Sequence, residues 1–419
     1  MKYIIITNEE KPAPIIKEHL YGEIYLFFIN PSIYITLSPV FYALMAILLA
    51  AVIFLGREVN GSKSWFFIGS FAFQPAEFSK ITTSLLLATL MGQHGFSLSN
   101  KKDVIRSVGI VLLPIALIVL EHETGSALVY LGLIIVFYLV GLSGWAIILG
   151  ISIIALFIIT IIDSIGIALL CALSAAFILK WLIDSNWKFF VSAVAIVIFS
   201  FFIPKFEFMN KISWHSWIII LFTPHIVLWI REIVRRQMSK PRRTNSIWLF
   251  YSLVCAITVI FSVNFLFNNV LQSHQKARIE NLLGITEDLQ GIGYNVHQSK
   301  IAIGSGGLIG KGFLNGTQTK YNFVPEQSTD FIFCTIGEEW GFVGSITILI
   351  VYILLIIRII VLASKNEDLF TKIYGWCVAS IFTMHVVINM GMTMGIVPVI
   401  GIPLPFLSYG GSSMLSFTI

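Results

Sequence analysis

Repeated apolar segments, each about 20 residues long, constrain the fold of this chain more than any other feature. Of its 419 residues, 57% are hydrophobic and only 12% are charged, and the mean hydropathy is +0.88. Water-soluble domains are roughly 45–50% apolar and about 25% charged, so the composition indicates an integral membrane protein. The net charge of +5 does not indicate nucleic-acid binding, because the basic residues lie in turns where they set membrane topology.

These segments predict an all-α integral membrane protein, a polytopic helical bundle of about twelve spans. One large external loop is expected to contain short re-entrant or interfacial helices. Residues 1–35 form an atypical N-terminal segment without the pattern of a cleavable signal peptide. The predicted spans cover residues 36–55, 74–92, 104–121, 125–142, 144–162, 165–182, 189–204, 213–231, 246–267, 338–362 and 373–394, with a partial span from 407.

Basic residues in the connecting loops predict the orientation of the spans. Because positively charged loops stay in the cytoplasm, the face that carries them is predicted to be cytoplasmic. The loops at 56–73, 121–124 and 268–335 then face the exterior. The run 231–243 could also bind anionic lipid, although a topology anchor is the simpler interpretation. The basic groups on the one face are Lys101, Lys102 and Arg106; Lys180 and Lys188; Arg231, Arg235, Arg236, Lys240, Arg242 and Arg243; and Arg358, Lys365 and Lys372.

A polar, glycine-rich loop from Gly284 to Asp330 interrupts the apolar sequence. Loops of this length are usually functional or disordered, and short apolar pieces such as 301–303 argue against disorder. Glycines allow close backbone approach, successive N–H groups can cradle an anion, and neighbouring lysines suit a phosphate or pyrophosphate. The spacing is not that of a Walker loop. We interpret this loop as the working part of a membrane enzyme.

Charged residues also lie at the predicted outer ends of spans. Glu77 and Lys80 follow Pro75 and share one helix face, as either a structural ion pair or functional groups. The sequence EHE at 121–123 could bind a cation or form a polar turn capped by a following hydroxyl. Four cysteines lie far apart in apolar runs and show no spacing typical of metal ligands or disulfides.

Prolines and glycines interrupt the last apolar segment between Pro398 and Ser413. Non-helical backbone at membrane depth is tolerated only against protein or a water-filled cavity, so this segment, with Asn389, is predicted to form a second wall of one external cavity. Asp330, Glu338 and Glu339 lie near the start of a predicted helix, where the helix dipole favours acidic groups.

Taken together, these motifs resemble the SEDS family (shape, elongation, division and sporulation proteins). They occur in the family's order over about half of the chain. The GTQ at 316–318 is similar to the elongation branch rather than the division branch. The matching motifs are NGSKSWFFIG (60–69), FQPAEFSK (73–80), ETGSALV (123–129), GIGYNVHQSKIAIGSGGLIGKGFLNGTQTKYNFVPEQSTDFIF (291–333), GEEWGFVG (337–344) and GIPLPFLSYGGSS (401–413).

The resemblance implies a peptidoglycan glycosyltransferase of cell elongation and shape maintenance. Such enzymes polymerise lipid II, release undecaprenyl pyrophosphate, and act outside the bacterial cytoplasmic membrane with a class B penicillin-binding protein. The family's essential acidic residue corresponds to Asp288, although Leu289 stands where the family has proline. Other departures are Ser64 in place of an arginine, and His122-Glu123 in place of Pro-Asp. The predicted substrate-binding residues are Lys63, Gln74, Glu77, Lys80, Glu123, Lys300, Lys311, Gln318, Glu326, Asp330 and Ser408.

By this resemblance, residues 36–162 and 246–419 form the family's membrane core, and 163–245 are inserted membrane helices without a counterpart. Residues 1–35 then represent a remnant of missing spans. A divalent cation, Mg²⁺ or Mn²⁺, is expected to assist at the pyrophosphate, and no organic cofactor is expected. Membrane lipids are expected contacts. Two other functions remain open at this stage: a flippase or transporter for lipid-linked precursors, and a non-catalytic scaffold for a cell-wall synthase.

Overall fold

The chain forms two compact units, one built from Met1–Ser143 and Asp288–Ile419 and the other from Gly144–Glu287. Asp288 and most of the predicted span at 189–204 lie outside the described residues. The unit boundaries differ from the predicted division at 163 and 245, which stays a prediction. The computed structural model describes residues 31–59, 62–68, 71–162, 165–184, 187, 191, 194–195, 198, 214–234, 240–271, 276, 280, 293–321 and 323–419.

Helices dominate both units, and their bounds follow the apolar segments of the sequence closely. The first part of unit one contains α1 (Pro31–Leu55), β1 (Arg57–Val59), β2 (Ser62–Ile68), β3 (Phe71–Phe73), α2 (Pro75–Met91), α3 (Lys101–Leu120), α4 (Thr124–Val129) and, after a 3-10 turn at Tyr130–Gly132, α5 (Leu133–Val140). Unit two contains α6 (Gly144–Ile162), α7 (Ile165–Asp184), α8 (Trp214–Val234) and α9 (Lys240–Asn269). The second part of unit one contains α10 (Tyr294–Ser305), α11 (Thr317–Lys320), α12 (Ile332–Lys365), α13 (Leu369–Thr393) and α14 (Gly411–Thr418).

The prediction of a polytopic helical membrane protein is confirmed. Among the described residues, six helices are long and apolar enough to cross a membrane: α1, α3, α7, α9, α12 and α13. Two shorter apolar helices cover Thr124–Val140 and Gly150–Ile161. The number of about twelve spans stays a prediction. The short helices α10 and α11 lie in the large loop, where short helices were expected.

A small antiparallel sheet was not expected from an all-α prediction. Its strands lie in the order β1-β2-β3 within the loop predicted at 56–73. Aromatic residues such as Trp65 and Phe66 favour extended structure, and Phe66 pairs with Phe73 across β2 and β3. The last strand ends at Phe73, two residues before α2 begins at Pro75.

In unit one, α2 packs against α1, α3, α13 and α14, so it lies near the centre of this unit. Pro75 stands at the first position of α2, where its missing N–H has no cost. Glu77, Lys80 and Ser84 are among its buried residues, although buried helix positions are usually apolar. The central helix therefore places polar and charged side chains in the interior of this unit.

Prolines inside α1 and α3 free two backbone carbonyls, and hydroxyl groups satisfy both. Pro39 lacks the N–H that would bond the carbonyl of Ile35, and the Ser38 hydroxyl donates to that oxygen at 3.1 Å. Pro114 likewise frees the carbonyl of Ile110. The Tyr42 hydroxyl donates to this oxygen at 2.9 Å, which ties α1 to α3.

The helix α12 is broken at Gly341, where φ is 64° and ψ is −156°. Such backbone angles favour glycine, because they lie in the left-handed half of the map. The break frees backbone groups of α12, and the preceding glycine-rich loop satisfies them. The bonds run from Lys311 N to Glu338 O (3.0 Å), Gly312 N to Glu339 O (2.9 Å), Phe342 N to Gly307 O (2.9 Å) and Val343 N to Leu308 O (3.1 Å).

Unit two has its own apolar core, formed where α7 packs against α6, α8 and α9. Phe177, Phe222 and Trp229 are among its fully buried side chains. Lys180 is also buried, pairs with Glu232 at 2.7 Å and lies 5.3 Å from the centre of the Trp229 ring. The aromatic surroundings and the ion pair together allow a lysine in this core.

Candidate active site

A buried lysine forms the innermost part of the candidate site. The Lys80 ammonium donates to Glu77 Oε1 at 2.8 Å and lies 2.8 Å from His385 Nε2. His385 Nδ1 lies 3.1 Å from the carbonyl oxygen of Pro403. Because a carbonyl only accepts, Nδ1 carries the proton, and the bare Nε2 accepts from Lys80. Neutral His385 thus joins the ion pair to the non-helical segment at 401–409.

A cavity of about 300 Å³ borders this ion pair. Glu77, Lys80 and Ser84 from α2 and Ser416 from α14 line it together with apolar side chains of α12 and α13. The Ser416 hydroxyl also donates to Glu77 Oε2 at 3.3 Å. Charged groups are unfavourable in an apolar interior unless paired, and here each charge has at least two partners.

Three carboxyl groups lie near the start of α2 and the end of α3, where the sequence analysis predicts the exterior. For that prediction we name Glu121, Glu123 and Asp330 the outer carboxylates. Glu123 Oε1 accepts from Gln74 Nε2 at 2.7 Å and from the Ser126 hydroxyl. Its second oxygen has no hydrogen-bond partner among the described residues. Burial raises the pKa of Glu123, while its bonds to Ser126 and Gln74 oppose that rise.

Glu121 differs from Glu123 because it is fully buried and neither of its oxygens has a partner among the described residues. It directly follows α3, and its backbone carbonyl accepts from Lys63 N at 3.2 Å. Burial, and next the charge of Glu123, raises the pKa of the Glu121 carboxyl to about 9. Glu121 is therefore a neutral acid at pH 7.

Asp330 is the third outer carboxylate. Burial, followed by the charges of Glu326 and Glu123, raises its pKa to about 6. A Cβ atom on Gly401, where φ is +74°, would lie 3.1 Å from Asp330 Oδ2, so glycine allows this close approach. Asn389 Nδ2 donates to the backbone carbonyl of Asp330 at 2.8 Å and so fixes the chain there.

Two side chains, one from α13 and one from the segment itself, hold the non-helical segment at 401–409. Asn389 of α13 donates to Ile402 O at 2.7 Å. Ser408 accepts from Leu404 N at 2.7 Å and donates to Thr329 O at 2.6 Å. Every bond uses a backbone group that a broken helix would leave free, as the membrane requires. The predicted second wall is thus tied to the large loop through Ser408.

The large loop is also fastened to α12 by a group that we name the loop clamp: Glu338, Lys311 and residues 316–319. Glu338 is fully buried and uses both of its oxygens as acceptors. Oε1 accepts from Lys311 Nζ (2.8 Å), Gln318 N (2.9 Å) and Thr317 Oγ1 (3.2 Å), and Oε2 accepts from Thr319 N (3.0 Å) and Thr319 Oγ1 (2.9 Å). Charge-assisted bonds of this kind are the strong ones in proteins.

Several predicted site residues occupy more open positions. Lys63 and Lys300 are exposed, with no ion pair among the described residues. Glu326 is exposed and accepts from the Thr329 hydroxyl at 2.7 Å. Gln318 reaches Glu338 through its backbone N–H rather than its side chain. Asp288, the predicted catalytic residue, cannot be placed, because it lies outside the described residues.

The site also contains groups that the sequence analysis did not identify. His385 contacts Lys80 across 305 positions of sequence. An imidazole within an apolar span was a visible signal, because ionisable residues in spans are rare. Glu338 was interpreted only through the helix dipole, and nothing in the sequence revealed its five hydrogen-bond donors.

The residues that the structure describes do not fit a resident metal site. Among them, no three Asp, Glu, His or Cys side chains are arranged to hold a metal ion. Lys80 and Lys311 already pair with Glu77 and Glu338. The expected divalent cation therefore stays a prediction.

Comparisons with known proteins agree with the resemblance. The profile of the cell cycle protein family that includes FtsW, RodA and SpoVE matches residues 20–182 and 243–419. The peptidoglycan glycosyltransferase RodA of Treponema pallidum is 32% identical over 86% of this chain and 75% of its own length. The peptidoglycan glycosyltransferase MrdB of Escherichia coli K12 is 29% identical over 92% of this chain and 76% of its own length.

A solved structure also resembles this fold. That structure concerns the structural coordination of polymerization and crosslinking by a peptidoglycan synthase complex. The TM-score is 0.60 at 22% identity, and the match covers 96% of this chain and 84% of the other. At this identity the similarity supports the fold alone.

Proposed function

Because this chain belongs to the cell cycle protein family of FtsW, RodA and SpoVE, we propose that it is a peptidoglycan glycosyltransferase. It polymerises lipid II into glycan strands during cell elongation and shape maintenance and releases undecaprenyl pyrophosphate. The two relatives aligned over most of the chain carry the same activity in their names. The GTQ at 316–318, which resembles the elongation branch, agrees with those names.

One observation carries this proposal: motifs that are distant in sequence meet through hydrogen bonds. Gln74, directly before α2, donates to Glu123, and Ser416 of α14 donates to Glu77 of α2. Asn389 of α13 bonds the backbone of Asp330 in the large loop. A binding site built from α2, α4, α13, α14 and the loop needs such contacts, since preorganised polar groups stabilise developing charge.

The reaction is glycosyl transfer with inversion. A sugar hydroxyl of one lipid-linked disaccharide attacks the anomeric carbon of another lipid-linked chain, and the bond to the pyrophosphate oxygen breaks. Asp288 is the proposed base that accepts the hydroxyl proton. An ordinary aspartate has a pKa near ~3.9, so Asp288 requires partial burial or accepts the proton late in the transition state.

Positive charge is needed where the pyrophosphate leaves. Lys63 and Lys300 are the best candidates for direct contact, because both ammonium groups are exposed and have no ion-pair partner among the described residues. Lys80 and Lys311 contribute indirectly, because they form ion pairs that hold Glu77 and Glu338 in place. If a divalent cation is used, its removal by EDTA abolishes polymerisation and Mg²⁺ or Mn²⁺ restores it.

The site is proposed to face outward. In unit one, the turn between α2 and α3 approaches the start of α13, since a Cβ on Gly92 would lie 3.2 Å from Phe370 N. Lys101, Lys102, Lys365 and Lys372 lie around these two turns, which supports a cytoplasmic location for that end. The outer carboxylates lie at the other end of α2 and α3.

A class B penicillin-binding protein is the proposed partner that cross-links the strands.

The test is incubation of the purified protein with fluorescent lipid II, followed by separation of the products. We expect a ladder of glycan strands from the wild type and none from Asp288→Asn. Glu287→Gln is the matched control, since it changes the neighbouring carboxylate, and it should retain the ladder. A ladder from Asp288→Asn, with the protein folded, would overturn the assignment of the base.

The two rival functions predict different results. A flippase or transporter moves lipid II across a vesicle membrane without forming glycan strands. The location of the polar groups opposes transport, because a transporter needs access from both faces. A scaffold forms no strands in the absence of another synthase, so a ladder from the protein alone excludes it.

A further inference from the structure

A groove of about 420 Å³ lies between α1, α2 and α3, away from the candidate active site. Its walls are mostly apolar, with Pro39 on α1 and Ile110 on α3 among them. Gln93 and Arg106 lie at one end. The groove therefore combines an apolar trough with a polar, positively charged mouth.

One glycine and one hydrogen bond between helices lie at this groove. Gly109 lines it, and a Cβ atom at this position would meet nothing within 4 Å, so the space is open. The Tyr42 hydroxyl, bonded to the carbonyl that Pro114 frees, holds α1 and α3 together beside it. The depression is a product of glycine and proline placement within two otherwise regular apolar helices.

The charge at the mouth is not neutralised within the part of the chain that the structure describes. Arg106 is exposed and forms no ion pair or hydrogen bond there. Asp103, one turn earlier, could reach it, but Asp103 Oδ2 instead accepts from Asn100 Nδ2 at 2.9 Å and from Ser97 N at 3.4 Å. No carboxylate is among the described residues that line the groove. Lys101 and Lys102 begin the same helix and add positive charge.

We propose that this groove binds an anionic phospholipid of the surrounding membrane. One acyl chain lies along the apolar walls, and the lipid phosphate contacts the Arg106 guanidinium. Guanidinium groups bind phosphate through two parallel hydrogen bonds, and basic pockets between membrane helices are typical sites for anionic headgroups. The predicted cytoplasmic end of α3 lies at the leaflet where anionic lipids are concentrated.

Charge complementarity and shape both favour this occupant. A soluble phosphate compound would use Arg106 but would leave the apolar walls unexplained. A neutral lipid would use the walls but would leave the guanidinium without an anion. None of the described residues that line the groove is assigned to glycosyl transfer, so the lipid proposal does not rest on the proposed function.

The experiment measures phosphatidylglycerol and phosphatidylcholine binding to the full-length protein by native mass spectrometry and by thermal shift. We expect the wild type to prefer phosphatidylglycerol by about fivefold, the usual effect of one basic group near a membrane surface. Arg106→Gln should lose this preference while binding both lipids weakly. Arg358→Gln, an exposed arginine of α12 outside the groove, is the matched control and should keep the preference.

A second variant tests the trough. Gly109→Leu fills the groove and should weaken binding of both lipids, and Gly109→Ala should do so less. Gly150→Leu, another helical position with nothing within 4 Å, is the control. Each variant is used only after its melting temperature without lipid matches the wild type. Equal binding of the two lipids by the wild type, a preference that survives Arg106→Gln, or binding unaffected by Gly109→Leu would each overturn the proposal.

Discussion

The loop clamp and the outer carboxylates contain the same chemical group in opposite situations. Glu338 of the clamp is buried, and five donors use both of its oxygens. Glu121 is equally buried, yet neither of its oxygens has a partner among the described residues. Glu123 lies between these extremes, with one oxygen satisfied by Gln74 and Ser126 and the other without a partner.

This contrast separates a structural role from a functional one. A carboxylate with every acceptor used has no capacity left for substrate, so Glu338 serves to fasten the large loop to α12. Carboxyl groups with open acceptors and a raised pKa are typical of functional sites, where hydrogen-bonding capacity is kept for a ligand or a proton. Asp330 and Glu123 fit that description: Asp330 belongs to the loop that the clamp holds, and the charge of Glu123 acts on Asp330.

The largest expected effect comes from Glu338→Gln. An amide places an NH₂ group against backbone and hydroxyl donors in either orientation, and it removes the charge that Lys311 neutralises. Breaking a buried ion pair typically costs about 3–5 kcal/mol. We therefore expect a strong fall in melting temperature, faster proteolysis of the loop and loss of glycan synthesis.

The matched control is Glu367→Gln, which changes an exposed carboxylate between α12 and α13. Its melting temperature should stay within about 1 °C of the wild type, because isolated surface charges contribute little. If Glu338→Gln behaves like Glu367→Gln, the clamp does not hold the loop and the contrast drawn above fails.

Gly316→Ala should have the next largest effect. A Cβ at this position would lie 2.3 Å from Thr319 Oγ1 and 2.6 Å from Glu338 Oε2, and two clamp groups would have to move. Overpacking of this kind costs typically about 1–3 kcal/mol. Gly304→Ala is the control, because a Cβ there meets nothing within 4 Å and alanine is the better helix former. The measurement is thermal unfolding of both variants. Equal melting temperatures would mean that the clamp accommodates a methyl group at Gly316 without strain.

Helix positions could be predicted from the sequence more completely than these side-chain contacts. The predicted span 144–162 coincides with α6, and the predicted 74–92 differs from α2 by one residue at each end. Bilayer thickness sets the length of an apolar run regardless of what packs against it, so local composition is sufficient. The sheet at 57–73 was missed because its strands are short and lie within a loop.

Contacts across the sequence could not be predicted in the same way. The sequence predicts that the glycine-rich loop is functional, and this stays a prediction. The attachment of the loop to Glu338 depends on the break at Gly341, which the sequence does not reveal. The bond between Lys80 and His385 requires α2 to lie against α13. Such pairings follow from tertiary packing, and only the resemblance to a family indicated that these motifs belong together.

Asp330→Asn tests the outer carboxylates through pH. Because the folded pKa of Asp330, about 6, exceeds the ordinary ~3.9, the folded state holds its proton more tightly than the unfolded state. The stabilisation that protonated Asp330 contributes to the wild type is therefore fully present below about pH 4 and is lost as the pH rises through 6. Over this pH range we expect the melting temperature of Asp330→Asn to rise relative to that of the wild type. The corresponding change in the free energy of unfolding is at most about 2–3 kcal/mol.

Asp368→Asn is the control of opposite sign. Asp368 caps α13 and accepts from Thr371, which lowers its pKa, so its contribution is present at neutral pH and is lost on acidification. Melting curves at intervals of half a pH unit distinguish the two signs. A difference between Asp330→Asn and wild type that does not change from pH 4 to pH 7 would show that Asp330 is not held in a protonated state.

The smallest effect is expected from Glu121→Met, which replaces an acid that has no hydrogen-bond partner among the described residues with an apolar side chain of similar length. A buried polar group without a hydrogen bond costs about 1–3 kcal/mol, so the variant should be slightly more stable than wild type at pH 7. Glu123→Met, by contrast, leaves Gln74 and Ser126 without their acceptor and should be less stable. Changes of opposite sign in the free energy of unfolding at these two positions would show that hydrogen-bond partners, and not burial alone, determine how a carboxyl group affects stability here. A loss of stability in Glu121→Met would instead reveal a partner for Glu121, such as a bound water, and would move Glu121 to the same class as Glu338.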